Sequence, residues 1–112
     1  MQGMNVRLYV WQRATAALMA PLVLIHIAVI FYATRQNLTA ADILSRTHGS
    51  IVWAAYYGIF VAAVSIHASI GVRNILAEWS PLSERRAGLF AVVVGMVLML
   101  LGVHAIVALV VT

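Results

Sequence analysis

The chain has 112 residues, of which 64% are hydrophobic and only 9% are charged, and its mean hydropathy is +1.02. This composition excludes an ordinary soluble domain and is typical of a protein embedded in a lipid bilayer. The absence of cysteine excludes disulfides, thiolate-bound iron–sulfur clusters and covalently attached haem, and the net charge of +4 forms no basic cluster of the kind that binds nucleic acid.

Three segments without Asp, Glu, Lys or Arg predict three transmembrane helices. They cover residues 14–34, 47–72 and 87–112. Each exceeds the ~20 residues that a helix needs to cross the hydrocarbon layer. Arg13 precedes a first segment that is too long for the apolar region of a signal peptide, so we expect this segment to stay in the mature protein.

The flanking polar residues set the predicted ends of these helices. We expect helices at about 13–34, 47–77 and 84–111 in one domain, residues 1–112. Residues 1–12 are expected to form a short amphipathic entry at the headgroup layer. Thr39 and Ser83 are candidate N-caps, for a helical turn in the first loop and for the third transmembrane helix. The predicted fold class is all-α.

Arginines near the helix ends predict the orientation of the chain in the membrane. Five flank the start of the first helix and the second loop, and two lie in the first loop: Arg7, Arg13, Arg73, Arg85 and Arg86 against Arg35 and Arg46. This excess places the N-terminus and the second loop on the cytoplasmic side and Thr112 outside. In a bacterium, the chain would be a multi-pass protein of the inner (plasma) membrane.

Small residues at helical spacing predict where the helices pack closely. Gly88, Gly95 and Gly102 recur every seven residues and therefore lie on one stripe of the third helix. Ala54 and Gly58 form a similar pair on the second helix. We interpret these residues as helix contacts and assign them no chemistry.

Four histidines are the informative polar residues: His26, His48, His67 and His104. Depth follows from a rise of ~1.5 Å per residue, counted from Arg13 on the first helix and from Glu78 on the second. His26 and His67 then lie about 20 and 16 Å from the cytoplasmic side, near the bilayer centre. His104 lies about 27 Å deep, and His48 borders the outer loop as an interfacial residue.

A neutral imidazole at this depth has a donor and an acceptor that need partners. An interhelical hydrogen bond, a proton relay or a haem iron would each satisfy His67. Gly71 lies one turn away on the same face and would leave room for a porphyrin. Arg73 and Arg13 would bring positive charge to its propionates.

The stretch H-A-S-I-G-V-R-N-I-L-A-E-W and the opening Q-R-A-T-A resemble the membrane anchors of succinate dehydrogenase and fumarate reductase, that is, complex II. The spacing of His67, Gly71 and Arg73 is similar to the helix-two haem motif of the larger, cytochrome b anchor. The full stretch and R-A-T-A are more similar to the smaller hydrophobic anchor. The resemblance covers residues 13–79, about 60% of the chain.

The resemblance implies a haem b-binding, quinone-site anchor that forms half of a two-anchor helix bundle. By this resemblance, His67 matches the axial ligand, Arg13 lies near the propionates and the quinone, and Glu78 with Trp79 stands beside the quinone. Flavoprotein and iron–sulfur subunits would dock on the cytoplasmic side and pass electrons to ubiquinone or menaquinone. This chain would not itself oxidise succinate. The serine of the larger anchor's quinone pocket is replaced by Tyr9.

The resemblance leaves the second iron ligand open. His67 would pair with a histidine of a second anchor subunit or of a second copy of this chain. His26 matches the first-helix ligand of two-haem relatives, and its similar depth would also allow it to share one iron with His67. His104 ranks below His26 as a ligand.

Two other classes of function remain compatible with the sequence. The first is a haem-free channel, transporter subunit or assembly scaffold of three helices, in which the histidines make interhelical bonds or a proton path. The second is a haem b anchor that serves a different dehydrogenase. A reduced-minus-oxidised optical spectrum separates the first class from a cytochrome.

Overall fold

The computed structural model describes residues 6–111, which form four α-helices and no strand. The helices are α1 (Val6–Arg35), α2 (Ala40–Thr47), α3 (Ile51–Trp79) and α4 (Glu84–Val110). The first, third and fourth are long and apolar enough to cross a membrane. The predicted all-α class with three membrane spans is therefore confirmed.

The first helix begins at Val6, well before the expected start near Arg13. Residues 6–12 continue the helix because they contain neither glycine nor proline and include good helix formers such as Leu8 and Gln12. Residues 1–5 of the predicted entry segment, and Thr112, lie outside the described part of the chain.

The loop between the first two membrane spans contains the short helix α2, and its predicted cap is confirmed. The Thr39 hydroxyl accepts a hydrogen bond from the backbone N–H of Asp42 at 3.1 Å, and the Asp42 carboxylate accepts one from the backbone N–H of Thr39 at 2.9 Å. This reciprocal pair is a capping box. Gly49, at a φ of +71°, then turns the chain before α3 begins at Ile51, four residues later than expected.

Helix α3 is the centre of the bundle, because it packs against both α1 and α4, which hardly contact each other. Two of the three predicted packing glycines face α3. A Cβ atom on Gly95 would lie 3.2 Å from Cβ of Ser69, and one on Gly102 would overlap Cγ1 of Val61. Gly88 has open space around its Cβ position, so the packing stripe covers only part of α4.

Hydrogen bonds to backbone carbonyls reinforce these contacts with α4. The Ser69 hydroxyl donates to the Ala91 carbonyl at 2.8 Å, and the Thr47 hydroxyl donates to the Leu109 carbonyl at 2.8 Å. Ser83 caps α4 as predicted, because its hydroxyl accepts a hydrogen bond from the backbone N–H of Arg86.

Most of the buried residues are small, and many large apolar side chains are exposed. Ala87 and Ala91 are almost fully buried between helices, whereas Leu24 and Leu100 are 67% and 68% exposed. A water-soluble protein of this size would bury such side chains. The exposed apolar faces fit contact with lipid or with a second helical subunit.

Candidate functional site

Three contacts define how α1 lies against the antiparallel helix α3. Gln12 faces Gly71, Thr15 faces His67, and further along the pair His26 faces Tyr57. A residue of α1 and a residue of α3 therefore lie at the same height along the bundle when their residue numbers add to about the same value as in these three pairs. This register sets the depth of every candidate residue on the two helices.

His67 lies in the middle of α3 with its imidazole half-buried against α1. Its Nδ1 atom is 3.3 Å from Oγ1 of Thr15, which is 4% exposed. Within residues 6–111, Nε2 has no hydrogen-bond partner. The ring is thus held at one nitrogen and has a free donor or acceptor position at the other.

The groove predicted beside Gly71 is not an open one, because the side chain of Gln12 lies there. A Cβ atom on Gly71 would be 3.7 Å from Nε2 of Gln12, which is an ordinary van der Waals contact. Oε1 of Gln12 is buried without a hydrogen-bond partner among the described residues. An unmet acceptor therefore lies one turn from His67, where the sequence predicted empty space.

Arg13 is close to the level of His67 along the bundle. It lies two residues before Thr15, so the α1–α3 register places it opposite Ser69. However, the side chains of Arg13 and Thr15 point to sides of α1 that are about 160° apart, because each residue along a helix rotates the side-chain direction by about 100°. The Arg13 guanidinium lies 5.7 Å from the centroid of the Tyr9 ring, and the structure does not bring it together with His67.

The three remaining candidate residues are on α3, toward its C-terminal end. Arg73 is half-buried and donates to the Asn74 side chain at 3.4 Å. Glu78 and Trp79 are exposed, and Trp79 is 83% exposed at the last position of the helix. They lie about 16 to 18 Å along the helix from His67 at 1.5 Å per residue.

His26 occupies a separate level, nearer to the end of the bundle that carries α2. Its Nδ1 lies 3.5 Å from the Tyr57 hydroxyl, and its ring makes edge contacts with Tyr57 and Phe60. Thr15, the neighbour of His67, is eleven residues away on α1, or about 16 Å. The sequence-based idea that His26 and His67 share one iron within this chain is therefore wrong.

The error in depth has a definite cause. Counting from Arg13 and Glu78 treated these residues as level with each other. In the α1–α3 register Arg13 is level with Ser69, which is nine residues and about 13 Å short of Glu78. Hydropathy finds the spans but carries no information on their relative shift.

The other two histidines make no site of their own. His48 is exposed at the end of α2, and His104 is exposed on α4. His104 lies two residues beyond Gly102, which contacts Val61, so it is on about the same level as His26. The described residues 6–111 contain no group of three or more His, Asp or Glu side chains that could hold a metal ion.

Sequence analysis did not single out Thr15, although it lies within the R-A-T-A segment. The signal that was available is a hydroxyl residue among alanines at the start of a predicted transmembrane segment, because such side chains often make contacts between membrane helices. Nothing in the sequence indicates which helix face Thr15 meets. The α1–α3 register supplies that information.

Three apolar spans with a midspan histidine define a small multi-pass helical membrane protein. A family model described as "Succinate dehydrogenase/Fumarate reductase transmembrane subunit" matches residues 2–103. The chain belongs to this family and is a membrane-anchor subunit of complex II. No curated protein and no solved structure matches the chain.

Proposed function

We propose that this anchor binds haem b through His67 and forms the quinone end of a succinate:quinone oxidoreductase. In this role it receives electrons from a docked iron–sulfur subunit and delivers them to ubiquinone or menaquinone. Family membership supports the assembly with soluble subunits.

The free Nε2 of His67 is the observation that carries the haem proposal. Histidines that ligate metals are commonly held at one ring nitrogen by a hydrogen bond while the other nitrogen binds the metal. His67 meets this requirement, with Thr15 at Nδ1 and no described partner at Nε2. A haem b at this position would supply a one-electron carrier between the inner surface and the membrane interior.

This chain alone does not form a pocket that would enclose the whole porphyrin. The Gly71 side of His67 is lined by Gln12, and three helices leave most large apolar side chains uncovered. We therefore place the haem between this chain and a second anchor, which is either a different subunit or another copy. The partner would provide the second axial histidine and complete the two-anchor helix bundle.

The inner end of α3 has the side chains that a quinone site needs. Trp79 is exposed and has an indole N–H that can donate to a quinone carbonyl oxygen. Glu78 beside it can carry protons from the aqueous side. Arg13 lies about 13 Å short of the Glu78 level along the bundle, so its positive charge would serve the haem propionates or a quinone that enters to that depth. Its guanidinium has no carboxylate partner among the described residues.

His26 is proposed as the ligand of a second haem. Its Nδ1 is near the Tyr57 hydroxyl, and Nε2 has no described partner, as at His67. The separation of about 16 Å from the His67 level is too large for a shared iron and allows two distinct haem groups.

The arginine distribution supports an N-terminus on the cytoplasmic side, in a bacterial inner membrane. In that orientation Trp79 and the α3–α4 loop face the docked soluble subunits. Helix α2 then lies on the outer side.

Purification of the complex through this chain tests the proposal. We expect mass spectrometry to identify a flavoprotein, an iron–sulfur protein and a second anchor, or this chain alone as the anchor. The reduced-minus-oxidised spectrum should show b-type bands. A colourless complex that retains its soluble subunits would contradict the haem proposal, and a colourless chain without them would favour a scaffold or channel.

A further inference from the structure

The Thr15 hydroxyl has a single hydrogen, and the geometry shows where it goes. Oγ1 lies 2.7 Å from the Trp11 carbonyl oxygen and 3.1 Å from that of Gln12. Bonding back to the carbonyl four residues earlier is the usual choice of a threonine inside a helix. Thr15 therefore donates its hydrogen within α1, to the Trp11 carbonyl.

The direction of the Thr15–His67 hydrogen bond follows from this assignment. The only hydrogen of the Thr15 hydroxyl is already in the bond to Trp11, so Oγ1 can only accept from His67. The hydrogen in the 3.3 Å contact is therefore on Nδ1 of His67. In a neutral imidazole, a hydrogen on Nδ1 leaves Nε2 as a bare lone pair. That lone pair is the form in which a histidine binds a metal.

We infer that Thr15 is a positioning residue, which holds His67 in the tautomer with hydrogen on Nδ1 and keeps Nε2 free to act as a ligand. The tautomer follows from the contacts of Thr15 with Trp11, Gln12 and His67. Only the identity of the group that Nε2 binds rests on the proposed function. Thr15 would touch neither haem nor quinone and would act through the imidazole alone.

This hydrogen bond has two consequences for a metal bound at Nε2. It restricts rotation of the ring, so the lone pair has one direction. It also makes Nε2 more basic, because donation from Nδ1 leaves more electron density on the ring. Stronger donation to iron favours the oxidised metal, so loss of the bond should raise the reduction potential.

The first test is made on the full-length chain without haem. In ¹⁵N NMR at alkaline pH, where imidazole rings are neutral, we expect His67 to show hydrogen on Nδ1. Thr15→Val, which keeps the shape and removes the acceptor, should move hydrogen to Nε2 in a large share of the molecules. Thr15→Ser should restore the wild-type pattern. Thr34→Val, at an exposed threonine of the same helix, is the control.

The second test uses the assembled complex and an optical redox titration. Thr15→Val should raise the midpoint potential of the haem by roughly 40 mV. This shift corresponds to about a fivefold change in the equilibrium between oxidised and reduced haem, which is the scale of one hydrogen bond. Thr15→Ser should keep the wild-type potential. A potential that moves equally in both variants would indicate a change in packing and would contradict the inference.

The two tests separate this inference from the proposed function. If Thr15→Val keeps the wild-type tautomer in the NMR spectrum, the positioning role is overturned, whatever the complex binds. If the wild-type complex lacks haem while the NMR result is as expected, the haem proposal fails and the tautomer assignment stands. Should Thr15→Val fail to fold, the wild-type spectrum decides, because hydrogen on Nε2 of His67 overturns the inference.

Discussion

The hydroxyl oxygen of Tyr57 lies 3.5 Å from Nδ1 of His26, and their rings meet edge to face with centroids 5.8 Å apart. This pair repeats the arrangement at His67, where Thr15 lies at Nδ1. Each histidine of the α1–α3 interface thus has a hydroxyl at Nδ1 and no described partner at Nε2. The two are stacked along the bundle on different levels.

Substitution of His26 tests whether its level holds a haem. We expect His26→Ala to lose about half of the haem in the purified complex, because only one of two proposed iron ligands on this chain is removed. His104→Ala is the matched control, since His104 is on a similar level but exposed on α4. Unchanged haem content in His26→Ala would assign His26 to packing against the aromatic residues of α3.

The close contact between Gly102 and Val61 predicts that a larger residue at position 102 destabilises the packing of α3 against α4. A Cβ atom on Gly102 would overlap both γ-methyl groups of Val61, and β-branched side chains in helices have little freedom to move away. Gly102→Ala should lower the free energy of unfolding by about 1 to 3 kcal/mol.

Unfolding in detergent micelles measures this effect, with Gly88→Ala as the control. Gly88 has open space at its Cβ position, so alanine there should be neutral or stabilise the helix by up to ~1 kcal/mol. Val61→Ala should partly rescue Gly102→Ala, because it removes the overlapping methyl groups. Equal stability of Gly102→Ala and Gly88→Ala would show that the helices are not in close contact there.

The capping box of α2 predicts a pH dependence. The hydrogen bond from the Thr39 backbone N–H, then that with the Thr39 hydroxyl, and the charge of Arg46 hold the pKa of Asp42 below its usual value. The ionised Asp42 carboxylate therefore stabilises the folded chain. This contribution is fully present at a pH above the pKa of Asp42 in the unfolded chain, and it is lost as the pH falls through the lower pKa of Asp42 in the folded chain.

An NMR titration of the Asp42 carboxyl group in micelles measures this shift directly. Thr39→Ala should raise the pKa of Asp42 toward the usual aspartate value, while Thr34→Ala, at the end of α1, should leave it where it is. A pKa at or above the usual value in the wild-type chain would mean that the capping box does not form in solution.

The exposed indole of Trp79 predicts a role in quinone reduction. Trp79→Phe removes the N–H donor and keeps an aromatic ring, so the KM for quinone should rise about fivefold, the scale of one hydrogen bond. Electron transfer from succinate to an artificial acceptor that bypasses the membrane should stay constant. Trp11→Phe, at another exposed tryptophan, is the control, and an equal response of both variants would make Trp79 an ordinary interfacial residue.

Much of the fold was predictable because membrane spans leave a strong signal in one dimension. Runs without charge gave the three long helices, and Thr39 and Ser83 marked the starts of α2 and α4. The seven-residue glycine spacing correctly indicated close contact at Gly95 and Gly102. Membrane spans, N-caps and glycine stripes are all determined by residues that are close together in the sequence.

The arrangement around His67 depends on how two helices are shifted relative to each other, and hydropathy does not encode that shift. The sequence therefore could not show that the Gln12 side chain lies beside Gly71, nor that Arg13 faces away from His67. It also gave His26 and His67 similar depths, whereas the α1–α3 contacts separate them. Thr15 gained its role only through the contact that this register creates.

The most direct test of the haem assignment is the haem content per chain of the complex that contains His67→Ala. His48→Ala, at an exposed histidine outside the membrane spans, is the control and should keep the wild-type content. We predict that His67→Ala abolishes or severely lowers bound haem while the soluble subunits remain attached. A His67→Ala complex with unchanged b-type bands and haem content would contradict the account.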